Sequence, residues 1–147
     1  MNLTPLLNKA LKSEELIDLF EYNDVSVVYK YDRHQECEED EYRASIKSLG
    51  LEFLFDENQM LSTLFIYVTD QNGFSAAKPD EYGVSNFGSI ALAQQYAEEK
   101  RMKFENGKAR FRGEEREWIR FEYETYSVHY EFRDSILSLI TLQRVPA

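Results

Sequence analysis

A chain of 147 residues is enough for one domain, or for two tightly packed half-domains. Hydrophobic residues make up 43% of it, and ten Tyr, ten Phe and one Trp can each bury a large area, which excludes the disordered class. The formal net charge of −10 makes nucleic acid and anionic membranes poor partners, because phosphates need Lys and Arg to neutralise them.

Thr4-Pro5 opens an apolar pattern of Leu6, Leu7, Ala10 and Leu11. Ser13 follows as an N-cap, with Glu14 and Glu15 complementing the helix dipole and Leu16, Ile17 and Phe20 sharing one face. The spacing predicts helix over 5–22, as one helix or two short ones. Val25 to Tyr31 is β-branched and aromatic and predicts a strand. Residues 32–41 read as a charged loop or a ragged edge, and Tyr42 to Lys47 as a second strand. Leu51, Phe53 and Phe55 alternate along a third, a turn occupies Asp56 to Gln59, and Leu61 to Thr69 completes a hairpin.

Residues 70–88 are rich in Gly, Pro, Asn and Asp and read as a linker. Ser89 caps a second helix, 89–101, whose apolar face carries Leu92, Ala93 and Tyr96. Asn106-Gly107 reads as a turn, followed by strands at about 108–112, 116–124, 126–133 and 136–143.

The expected fold class is α+β, with two similar helix-plus-antiparallel-meander halves, 1–73 and 74–147, in one unit, and the helices packed on one sheet face. The halves align: Ser13 with Ser89, Leu16 with Leu92, Ile17 with Ala93 and Phe20 with Tyr96. With one gap, Leu51, Phe53 and Phe55 match Val128, Tyr130 and Phe132, and Leu61-Ser62 matches Leu137-Ser138. Period-2 alternation puts Ile119, Phe121 and Tyr123 inside with Val128, Tyr130 and Phe132. Trp118, Arg120, Glu122, Ser127, His129 and Glu131 then point the other way. In the first half Leu64 and Ile66 go inside, leaving Phe65 and Tyr67 on the open face with Leu54 nearby. An antiparallel sheet can leave one face to water, and Trp, Phe, Tyr, Arg and His together have the composition of a binding surface. The alternative is that these aromatics pack on a loop or on the other half.

Charge is uneven along the chain. Residues 1–73 carry 15 acids and 6 bases, a net of −9, against 12 acids and 11 bases, a net of −1, in residues 74–147. Glu36, Glu38, Glu39, Asp40 and Glu41 form a dense acidic run, which reads either as a solvated loop or as a patch for a basic partner. It lacks the spacing and the turn glycine of a calcium loop. The single cysteine, Cys37, allows no internal disulfide, and with only His34 and His129 no zinc site is expected. A reducing compartment follows, and with no secretory or membrane-spanning hydrophobic run the expectation is cytoplasmic. No phosphate-binding loop is present. His129 beside Glu131 could do acid–base work, and His34 with Cys37 could form a dyad, but neither pair has an evident orienting group. No enzyme, cofactor or metal is therefore expected.

Gly50-Leu-Glu-Phe-Leu-Phe-Asp56, Leu61-Ser-Thr-Leu-Phe-Ile-Tyr67, Gly83-Val-Ser-Asn-Phe-Gly-Ser89 and Trp118 to Phe132 resemble a pattern in small bacterial immunity proteins. These are the antidotes of contact-dependent growth inhibition and related polymorphic toxin systems. The tandem architecture is similar to that of the β-lactamase inhibitory protein, and each half to the outer-membrane assembly lipoprotein fold, although the chain lacks the disulfides of the one and the lipoprotein cysteine signal of the other. The resemblance implies tight binding to one cognate toxin domain, a nuclease being a common target, and carries over no catalytic residues. On this reading the partner is a basic toxin domain, docked by the acidic run and by Phe65, Tyr67, Trp118, Arg120 and His129. Two other functions remain open: a small enzyme or small-molecule-binding protein using the open face around His129, and an adaptor module. Oligomeric state is left open too.

Overall fold

Alternating apolar and polar residues build strands that can bury one face, and here they do so on a single sheet. The computed structural model describes residues 1–30 and 41–145. Among the described residues, eight strands form one antiparallel sheet: β1 (Ser26–Lys30), β2 (Glu41–Ile46), β3 (Leu51–Phe55), β4 (Leu61–Tyr67), β5 (Lys103–Phe111), β6 (Glu114–Glu122), β7 (Tyr126–Arg133) and β8 (Ile136–Arg144). Their spatial order is β1-β2-β3-β4-β8-β7-β6-β5. Each group of four follows a helix, α1 (Glu14–Glu21) or α2 (Ile90–Glu99). The groups meet at β4 and β8, where Thr63 to Tyr67 pair with Gln143 to Leu139. The α+β class is thus observed, with both meanders in one sheet. No described helix is long and apolar enough to cross a membrane.

One face holds the core: Ala44, Ile46, Leu51, Phe53, Phe55, Leu64, Ile66, Ile119, Phe121, Val128, Tyr130, Phe132, Ile140 and Leu142 are all buried. Phe20 of α1 sets its ring edge-on to Phe53, with centroids 5.3 Å apart. Tyr96 of α2 and Phe87 pack on Phe121. Each such side chain, fully buried, contributes roughly 1.5–3 kcal/mol by area.

Several expectations are corrected. The helix expected over 5–22 is a 3-10 turn at Thr4–Leu6 followed by α1. Asn8, at φ 68°, breaks the pattern, and the backbone then pairs with the β3–β4 turn: Asn8 N–H donates to Leu61 O and Leu11 N–H to Gln59 O, both at 2.7 Å. Ile17 and Leu92 are exposed, at 41% and 53%. Leu19 and Ala97 take the inward positions instead, because the helices meet the sheet along Leu16–Leu19 and Ala93–Ala97. Ser13 and Ser89 both occupy N-cap positions, but only the Ser89 hydroxyl accepts a capping bond, from Leu92 N–H. Tyr123 lies just beyond β6 and is exposed, since its strand ends at Glu122. Residues 70–88 are more than a linker: Phe74, Ala77, Tyr82, Val84 and Phe87 are buried against the rest of the chain.

The Asn106-Gly107 turn is absent as well. β5 runs straight through it, with Asn106 opposite Ile119 and Gly107 opposite Trp118. The glycine serves packing. A Cβ there would come within 2.5 to 2.8 Å of the Trp118 indole, so the missing side chain is the seat of the ring.

Candidate protein-binding face

The other sheet face is covered by no described helix, and the strand registers place its side chains in rows. One row runs Ser45, Glu52, Phe65, Thr141, His129, Arg120, Glu105 across seven strands. The next runs Tyr67, Leu139, Glu131, Trp118, Gly107. Phe65, Tyr67, Trp118, Arg120 and His129 therefore share the open face, as their alternation predicted. Neighbouring strands lie about 4.8 Å apart, so Phe65 and His129, two strands apart, are separated by roughly 10 Å. All five side chains are half-buried.

Trp118 is held on both sides. Its indole lies over Gly107 and stacks on His129, with centroids 5.3 Å apart and planes 21° apart. The Arg120 guanidinium sits 5.8 Å from the indole centroid, close enough for a cation–π contact, and is paired with Glu105 and Glu122. Burial pushes the His129 pKa below its ordinary value; Glu131 opposes that shift and Arg120 adds to it. The imidazole is therefore neutral near pH 7. Around this cluster Arg116 and Arg133 both reach Glu131, at 3.7 and 3.1 Å. Partly exposed pairs of this kind are each worth about 0–1 kcal/mol, so their larger effect is to hold long side chains in place.

Tyr67 is engaged differently. Its ring stacks on Phe74 at 4.2 Å, and its hydroxyl donates to Glu52 at 3.4 Å. Burial, with the Glu52 charge beside it, pushes its pKa up to about 12. Glu52 is buried on this nominally open face, where it also accepts from Arg43 at 2.8 Å and Ser45 at 3.0 Å. A buried carboxylate with three donors is a fixed point in the face. Reasoning from sequence overlooked Glu52, Leu139 and Thr141. The signal for Glu52 was its place between Leu51 and Phe53, which puts it on the face of Phe65.

No protein-family model, curated protein or solved structure matches this chain.

Glu36, Glu38, Glu39 and Asp40 of the acidic run lie outside the described residues, as do His34, Cys37 and the expected end of the first strand at Tyr31. Glu41 opens β2 opposite Lys30, on the far side of the sheet from Trp118. Phe74, Tyr82 and Phe87, which an exposed linker would have offered to a partner, are buried. Below Arg120 the open face runs into a shallow groove of about 590 Å³, lined by Lys103, Glu122, Ser127 and Gln143 among others. Among the described residues no three His, Cys, Asp or Glu are grouped to hold a metal ion. The arrangement offers packed aromatic surface and ion-paired polar groups, which suit recognition of another surface.

Proposed function

We propose that the chain is a cytoplasmic immunity protein, which binds a cognate bacterial toxin domain through the open sheet face and neutralises it. The observation that carries this reading is the seat of Trp118 between Gly107 and His129, on the same strand as Arg120 and three strands from Phe65. Trp, Tyr and Arg held rigid before binding lose little entropy on docking and are the residues that most often dominate interface energy. The resemblance of the Gly50–Tyr67 and Trp118–Phe132 segments supplies the partner class.

The two halves are, in the same proposal, copies of one helix-plus-four-strand unit. The order of elements supports this, and so do the β-bulges. The register shifts at Leu54/Phe55 between β3 and β4, and at Glu131/Phe132 between β7 and β8, the positions that the internal alignment equates. A bulge costs ladder bonds, so two at one aligned position argue for common design. The β4–β8 seam would then be the axis of the docking face.

The test uses the toxin domain encoded beside this chain, purified as an inactive variant. A one-to-one complex is expected, with dissociation accelerated in Trp118→Ala and Phe65→Ala. Neutralising Glu36, Glu38, Glu39, Asp40 and Glu41 together should slow association at low salt and flatten its salt dependence, because rim charges act mainly on encounter. Absence of a complex, together with saturable binding of a small metabolite that is lost in His129→Ala, would overturn the proposal in favour of a ligand-binding protein.

A further inference from the structure

The two outer strands of the sheet are finished differently. β5 is an edge strand loaded with charge: Lys103, Glu105, Lys108 and Arg110 lie along it. Lys103 pairs with Glu122 and Lys108 with Glu115, and Glu105 takes Arg120. Charged edges of this kind discourage another strand from adding on. β1, at the opposite edge, has no such protection along Ser26 to Val28. Val27 and Val28 are exposed, at 54% and 57%. Their cross-strand partners are Ala44, on the core face, and Arg43, on the open face. The two valines thus leave apolar side chains exposed on both sides of this strand, and β-branched residues there favour pairing.

The surroundings of β1 are acidic. α1 ends four residues before it and exposes Glu14, Glu15, Asp18 and Glu21, with Asp24 in the connection. Of the nearby bases, Lys9 reaches Glu15 and Arg43 is bound to Glu52. Lys30 stands at the strand's end, opposite Glu41. Ile17 and Tyr22, beside Asp18 and Glu21 in sequence, are exposed as well.

We propose that β1 is a second docking edge, which takes up an extended Lys- or Arg-bearing segment of a partner protein as an added antiparallel or parallel strand. It lies at the sheet margin, away from the Trp118 cluster, and it does not depend on what the open face binds. The outward backbone groups of an edge strand supply the affinity of strand addition, and the exposed valines supply contacts on both faces. Charge decides the occupant. A second copy of this chain would bring together two halves that each carry −9, whereas a basic segment is attracted by the same field.

The test uses a short capped peptide of alternating Lys and Val, added to the isotopically labelled full chain. Amide signals of Ser26 to Lys30 should shift, and their hydrogen exchange should slow, while β5 stays unchanged. Raised salt should weaken binding several-fold. The Val27→Lys, Val28→Lys double variant should lose binding with an unaltered thermal transition, since both positions are exposed. A peptide N-methylated at alternate amides, tested on the unmodified chain, should also fail, and this arm stands whether or not the variant folds. No shift at millimolar peptide would overturn the proposal. So would equal binding of a Glu/Val peptide, or a dimer of the free protein that dissolves in the double variant.

Discussion

Replacing Gly107 by Ala tests the seat of Trp118 directly. Gly107 is not at positive φ, so its backbone accepts a side chain. In mid-strand an alanine should stabilise by about 0.5–1 kcal/mol, through the smaller entropy of the unfolded chain. Against this, the new methyl would stand 2.5 Å from Nε1, 2.7 Å from Cε2 and 2.8 Å from Cζ2 of Trp118, closer than carbon atoms pack. Overpacking of this kind costs about 1–3 kcal/mol, and it is lowest where a side chain can move aside. The indole can swing towards solvent, but only by leaving His129, and losing an aromatic stack forfeits about 0.5–1.5 kcal/mol. The balance is a net destabilisation of about 1–2 kcal/mol. The chain has one Trp, so the emission spectrum reports this ring alone. We expect emission shifted to longer wavelength, a lower urea midpoint with an unchanged slope, and faster dissociation of any partner docked on the open face. Unchanged emission with a gain in stability would refute the argument, because it would mean that the ring does not need the glycine.

Three further outcomes follow from the same geometry. Phe121→Ala empties a core position that is 1% exposed and should cost about 3–5 kcal/mol in denaturant unfolding, with Trp118→Ala costing clearly less; the reverse order would invert the face assignment. Burial alone would raise the Asp56 carboxyl, but N–H donors from Met60 and Asn58 and the Arg144 guanidinium hold it below its ordinary 3.8. Its stabilisation is therefore present above 3.8 and disappears as pH falls through the depressed folded value, so Arg144→Met should lose up to about 1 kcal/mol at neutral pH and move acid unfolding to higher pH. His129, depressed by burial, should titrate below 6.5 in the folded protein, and stability should fall as pH drops from there through the folded value; the stacked Trp118 emission should follow the same curve and lose it in His129→Gln.

What could be read along the chain was whatever depends on near neighbours. Alternation in Leu51–Phe55, Leu61–Tyr67, Trp118–Glu122 and Tyr126–Arg133 assigned strands and faces correctly, because a pleat turns every second side chain the same way whatever lies beside it. It also put Phe65, Tyr67, Trp118, Arg120 and His129 on one surface. It placed Ser13 and Ser89 at helix starts, since capping is local too. What failed depended on partners distant in sequence. Asn106-Gly107 has the chemistry of a turn, and only the indole of Trp118, eleven residues on, shows that the glycine is there for room. Residues 8–11 have a helical apolar pattern, yet their backbone groups are taken by Gln59 and Leu61 of the β3–β4 turn. Which stripe of α1 or α2 turns inward was set by the sheet beneath them, so Ile17 and Leu92 were misplaced although both helices were found. The joining of two meanders at β4 and β8, and the burial of Glu52 under Tyr67, belong to the same class: a strand's sequence determines its own two faces, but backbone hydrogen bonds carry no side-chain identity, and only the folded chain decides which edge meets which.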